Sequence, residues 1–162
     1  MVFVKHRVGA HRALGGLPAL RSLADVEVPL PEVPCVGAVV HDAQGRLLLI
    51  RRGHAPSAGL WSVPGGRMEA GESEAQAVVR EVAEETALRV HPERVLGRVR
   101  IDGDGLVFTV TDWACTLLEP EQLPVAGDDA ADVAFVDAAG LAALDMAPGV
   151  VAALSGWGVL PR

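Results

Sequence analysis

The sequence predicts an α+β domain, mostly strands arranged around one central helix, and three observations carry that reading. Short apolar runs of strand length recur at 36–40, 47–50, 95–101, 106–118 and 133–136, with Gly, Pro or Asp in the segments between them. A single stretch, 74–86, keeps a helical period instead. At 162 residues the chain is long enough for one full core and contains no run of eighteen apolar residues.

Residues 1–33, punctuated by Pro18, Pro29 and Pro31, read as an irregular or partly helical basic extension, and 34–156 as the domain proper. The runs 36–40 and 47–50 flank His41-Asp42-Ala43-Gln44-Gly45, which predicts a hairpin. Residues 51–59 form a loop, and 60–63 a short strand entering Pro64-Gly65-Gly66. Past the helix, 95–101 and 106–118 make a second hairpin around Asp102-Gly103-Asp104-Gly105, whose aspartates are turn residues. A polar loop at 119–129 precedes the last strand, and 138–144 and 149–154 predict short helices.

The helix announces its own start. Ser73 followed three places later by Gln76 is a capping box. Ala75, Val78, Val79, Val82 and Thr86 then form an apolar stripe, with Glu81, Glu84 and Glu85 on the adjoining arc. Like charges at i, i+4 near a helix C-terminus oppose one another and the macrodipole, at about 1–2 kcal/mol together. That cost is tolerable on a surface, so the carboxylates alone fit either a solvated face or a metal-binding one.

Their spacing is more specific. Gly66, Glu72, Arg80, Glu81, Val82, Glu84, Glu85 and Leu88 fill eight of the nine defined places of the Nudix box, G-x5-E-x7-R-E-U-x-E-E-x-G-U with U aliphatic. Ala87 stands where the box has its last glycine, which disfavours a left-handed cap at that exit. The segment 60–66, Leu-Trp-Ser-Val-Pro-Gly-Gly, also resembles the entry to the box in Nudix hydrolases. The resemblance implies the Nudix fold, a mixed β-sheet sandwiched between helices (α/β/α), with the box as loop–helix–loop.

It also implies the chemistry: hydrolysis of the pyrophosphate bond of a nucleoside diphosphate linked to another moiety. ADP-ribose or a related nucleotide sugar is favoured, and normal or oxidised nucleoside triphosphates come next. By resemblance the metal, Mg2+ or Mn2+, is held by Glu81, Glu84, Glu85 and the carbonyl of Gly66, and Arg80 orients a box glutamate. Glu84 is the first candidate for the general base. An acid from outside the box is the alternative, and Asp128 and Asp129 are the candidates, as base, fourth metal ligand or substrate contact. Arg51 and Arg52 are equally phosphate-gripping groups or solvated strand-end charges. Trp61 reads as packed beneath the sheet, and base stacking is left to Trp61, Phe108, Trp113 or a backbone slot, because tyrosine is absent. His54 and His91 receive no role.

Composition excludes other classes. A net charge of −7 argues against nucleic acid as a partner. Residues 25–162 hold all 21 acids and ten of the fourteen basic groups, so an anionic nucleotide must be met by a recruited cation. Lys5, Arg7, Arg12 and Arg21 lack an apolar core beside them, which argues against a signal peptide, and no membrane segment is expected. Cys35 and Cys115 lie in strand-like runs and read as buried reduced thiols of a cytoplasmic protein. A homodimer through the basic extension is compatible with the pattern. A non-catalytic nucleotide-sensing module regulating a partner is the alternative function, although such members normally lose a box glutamate and none is lost here.

Overall fold

A computed structural model gives the structure of the protein, describing residues 29–55, 57–103 and 105–162. Most of the 1–33 extension, with Lys5, Arg7, Arg12 and Arg21, lies outside the described residues, as does Asp104. The elements run β1 (Glu32–Val40), β2 (Leu47–Arg52), β3 (Trp61–Ser62), β4 (Gly65–Arg67), α1 (Glu74–Thr86), β5 (Val90–Gly103) and β6 (Leu106–Leu117). Then follow β7 (Ala130–Val136), α2 (Ala138–Ala143) and α3 (Val150–Gly156).

Two sheets make the middle layer, one ordered β4-β1-β6-β5 and the other β3-β2-β7. The pairing of β1 with β6 is parallel and the remaining pairs are antiparallel, so the sheet content is mixed. Side chains alternate across each strand. Val36, Ala38, Val40 and Leu48 face a core with Ala77, Val78 and Val82 of α1. Val39, Leu47 and Leu49 face a second core with Leu141 of α2 and Leu154 of α3. Helices therefore cover both faces, as the α/β/α expectation requires.

The hairpin predicted for 36–50 is corrected. The chain does turn at Asp42, with Gly45 N–H donating to Asp42 O at 3.0 Å. The two strands nevertheless part after a single His41–Leu47 bridge and enter different sheets. Both runs are buried almost throughout. A strand apolar on both faces is best placed between two partners, and each run takes the centre of its own sheet. The second hairpin forms as expected, longer by five residues at its start, with bulges that accommodate Pro92. Gly65–Arg67, read as loop, is a short edge strand on β1. Residues 157–162 continue the packed body past 156: Val159 joins the second core and Arg162 N–H donates to Gly45 O at 3.0 Å.

Ser73 caps α1 as expected: its Oγ accepts from Gln76 N–H at 3.3 Å, and Gln76 Oε1 accepts from Ser73 N–H at 2.8 Å. The stripe is rotated from the expected one. Ala77 is buried and Val79 is 40 % exposed. The helix turns so that Glu85, only 6 % exposed, enters the buried face, and Val79 is carried outward. At the exit Ala87 adopts φ 57°, the left-handed conformation that glycine takes without cost. Thr86 Oγ1 donates to Val82 O at 2.6 Å, and Gln122 Nε2 donates to Ala87 O at 2.8 Å, which holds the turn in place. Ala87→Gly should therefore raise the stability by about 0.5–1 kcal/mol, after the entropy glycine adds to the unfolded chain. The check is the urea midpoint, which should move up with an unchanged slope.

Candidate active site

Three elements converge on the C-terminal half of α1. The first is β4, whose glycines permit close approach. Gly65 N–H donates to Glu85 Oε2 at 2.8 Å. A Cβ at Gly66 would collide with the Glu81 carboxylate. The second is the 119–129 loop, which takes over the last carbonyls of the helix: Val125 N–H donates to Thr86 O at 2.9 Å and Gly127 N–H to Glu85 O at 3.1 Å. Any side chain at Gly127 would strike Glu84 O. The third is the end of β2, where Gly53 N–H donates to Asp129 O at 3.1 Å. These ties bring Asp129 to the wall of a cleft shared with Glu81, Glu84 and Glu85.

Arg80 organises the glutamates. Its Nε and Nη2 grip both oxygens of Glu72 at 3.1 and 2.7 Å, and Nη1 donates to Glu81 at 2.8 Å and to Glu84 at 3.2 Å. Nη2 also donates to Arg67 O at 3.0 Å, tying the helix to β4. The guanidinium holds Glu72 below the usual carboxylate range, and Glu72 in turn raises the Arg80 pKa. Glu81 is pushed up by burial, against the pull of Arg80. Glu85 is pushed up to about 7, first by burial and then by the charge of Glu81, while the Gly65 N–H opposes the shift. Among the described residues no ion pair reaches Glu85, whereas Glu81 and Glu84 share Arg80.

Among the described residues no three acidic, His or Cys side chains already stand as a closed metal cage. The donor set nonetheless fits a hard cation. Two part-buried or buried carboxylates, Glu81 and Glu85, flank backbone at Gly65 and Gly66, and burial makes both resist ionisation. Glu84, whose side chain is 58 % exposed, lies at the rim.

The remaining sequence candidates divide. Arg52 lines the cleft, whereas Arg51 turns its Nε to Gly59 O at 3.0 Å. Asp129 lines the cleft beside His54, its Oδ1 3.4 Å from Nε2, while Asp128 is exposed and is not among the lining residues. Trp61 packs against the second core, as expected, and Trp113 packs against the first. The aromatic rings that line a second hollow are Phe108 and Trp157. Trp157 was not expected there. Gly97 leaves the space its indole fills, and no local pattern connects those two positions. Cys35 and Cys115 are buried and unbridged, and burial pushes the Cys115 thiol up to about 12.

This second hollow, about 600 Å3, meets the cleft along Arg52, Gly65, Gly66 and Arg67. Sequence reasoning missed its one buried acid, Asp112, 5 % exposed on β6. Its run, Thr-Val-Thr-Asp-Trp-Ala, reads as an ordinary strand, and only the pairing of Asp112 with Gly37 across β1 reveals the opening.

Comparison with known proteins agrees with the geometry. The NUDIX domain family model matches residues 31–153. A MutT-like protein of Streptomyces ambofaciens is 40 % identical over 82 residues, 51 % of each chain. An ADP-ribose pyrophosphatase of Methanocaldococcus jannaschii is 34 % identical over 110 residues, 66 % of this chain and 62 % of that one. The matches thus span about half to three-fifths of these curated relatives. The crystal structure of a MutT protein from Methanosarcina mazei Go1 superposes with a TM-score of 0.71 at 21 % identity, covering 81 % of this chain and 96 % of that one, a likeness of fold.

Proposed function

The chain belongs to the Nudix family, and from that premise we propose that it hydrolyses the pyrophosphate bond of nucleoside diphosphate derivatives, using Mg2+ or Mn2+. The observation that carries the reading is Glu85: a carboxylate buried without an ion pair among the described residues, fixed by Gly65 N–H beside the cradle at Gly66. A fold keeps such a group where an external cation completes it.

Glu81, Glu84, Glu85 and the Gly66 carbonyl are the ligands assigned to the cation, which when bound offsets phosphate charge and acidifies a water. Arg80 holds Glu81 toward β4 and keeps Glu72 closed over the loop. Arg52 is the phosphate-facing cation of the cleft wall. Glu84, solvated at the rim, accepts the proton of the attacking water, with Asp129 as the alternative base. The water oxygen bonds to one phosphorus as the bridging P–O bond breaks. A nucleoside monophosphate and the remaining phosphorylated fragment leave.

ADP-ribose is the first substrate to test, given the similarity to an ADP-ribose pyrophosphatase. Nucleoside triphosphates, normal or oxidised, are the second reading, favoured by the hollow beside the cleft that Asp112 lines. The test is a panel of ADP-ribose, other nucleotide sugars, dinucleoside polyphosphates and triphosphates, with each metal and with chelator. Metal-dependent release of monophosphate supports the proposal. Inactivity throughout, with tight binding of one compound, overturns it in favour of the nucleotide-sensing module.

A further inference from the structure

Asp112 is the group the proposed reaction leaves unused. Its neighbour Thr111 is satisfied on the opposite face, donating to Glu74 Oε1 at 3.0 Å and accepting from Arg98 Nε at 3.1 Å. The Asp112 side chain has no hydrogen bond or ion pair among the described residues, although the residue is only 5 % exposed. It shares its face of β6 with Phe108 and Val110, and all three line the 600 Å3 hollow together with Trp157, whose indole lies over Gly97, the cross-strand partner of Asp112. Gly37, paired with Asp112 in parallel register, makes the room: a Cβ there would collide with Asp112 Oδ1.

The other charged groups of the hollow, Arg52 and Arg67, stand where it joins the cleft, so the Asp112 carboxylate opens on a mostly apolar space in which a ligand can supply its donors. The position says which ligand. Gly37 also pairs with Gly65, whose N–H holds Glu85, so Asp112 and Gly65 are two strands apart, roughly 10 Å across the sheet. The edge strand β4 is where the hollow and the cleft join. A nucleotide with its phosphates in the cleft has its base within reach of the hollow, which Phe108 and Trp157 help to line.

We propose that Asp112 is the specificity-determining residue for the base, accepting hydrogen bonds from a purine edge that presents two adjacent N–H donors, as guanine does with N1–H and its 2-amino group. An ionised carboxylate has two acceptors and no donor. Adenine and cytosine place one donor beside one acceptor and satisfy only half of it. The inference rests on the cleft being the phosphate site and deepens the second substrate reading above.

The experiment compares guanosine, adenosine and xanthosine triphosphates on the wild type and on Asp112→Asn, by kcat/KM with Mg2+. In parallel, tryptophan fluorescence measures binding of their α,β-methylene analogues. The expected wild-type preference for guanosine over adenosine is about ten- to a hundredfold. Asp112→Asn, which offers one acceptor and one donor, should lose that preference and gain on xanthosine, whose edge is N1–H beside a carbonyl. A gain is a readout that damage to the fold does not produce. Indifference of the wild type to the base, or an equal loss on all three bases in the variant, overturns the proposal. Guanosine-selective binding without hydrolysis supports the role of Asp112 while overturning the proposed function.

Discussion

Glutamine in place of Glu85 should abolish the proposed metal-dependent release of nucleoside monophosphate and raise the melting temperature of the metal-free protein. The two effects have one cause. Burial raises the Glu85 pKa from 4.5 to about 7, so the folded state binds this proton more tightly than the unfolded chain does. Below pH 4.5 both states are protonated and the group costs nothing. Between pH 4.5 and 7 the metal-free protein loses stability as pH rises, and above 7 the full penalty is present, at most about 3 kcal/mol. The neutral amide escapes that penalty and still accepts from Gly65 N–H. Metal-free Glu85→Gln should therefore melt several degrees higher at pH 8 and show little difference at pH 4.5. Saturating Mg2+ should stabilise the wild type and leave the variant unmoved. Because cation and proton compete for one carboxylate, the apparent metal affinity of the wild type should fall by up to about tenfold per pH unit below 7. Calorimetric titration at several pH values checks the slope, and scanning calorimetry checks the melting shifts. Retained activity in Glu85→Gln, or a lower melting temperature at pH 8, would sink the assignment.

What could be read in the sequence was whatever depends on residues close together in the chain. The Ser73–Gln76 cap, the helix it starts and the second hairpin are local, and they stand where the pattern placed them. The Glu72–Arg80 pairing spans eight residues of one loop and helix, still within reach of a motif. Long-range choices were less legible. Whether β1 pairs with β2 is decided by what else competes for their edges, and β4, β6, β3 and β7 all do. The rotation of α1 by which Ala77 replaces Val79 depends on the space that Gly65 and Gly66 open for Glu85 and Glu81. The difference between Arg51 and Arg52 follows from strand alternation at the end of β2, and that between Asp128 and Asp129 from one backbone bond at Gly53. Asp112 is the extreme case. Its significance lies in Gly37, 75 residues away in sequence and adjacent in the sheet.

Loss of Arg80 should be almost as damaging as loss of Glu85, by a different route. Its guanidinium donates five hydrogen bonds, to Glu72, Glu81, Glu84 and the carbonyl of Arg67. Removing it leaves Glu81 half-buried beside Glu84 and Glu85 with no counter-charge, and frees the loop that Glu72 holds. Arg80→Ala should therefore lower the melting temperature by several degrees and kcat by about ten- to a hundredfold, the usual scale for a group that positions ligands. Arg80→Lys separates charge from geometry. A single ammonium restores a positive charge beside Glu81 but lacks the planar fork that spans both Glu72 oxygens while reaching Glu81. Lysine should recover much of the melting temperature and little of kcat. A cation repays part of the missing charge, so the stabilisation produced by saturating Mg2+ should be larger in Arg80→Ala than in the wild type. If alanine leaves kcat within threefold, a ratio worth about 0.65 kcal/mol, Arg80 is not positioning the glutamates. If lysine restores kcat in full, charge alone does the positioning and the fork at Glu72 is only structural.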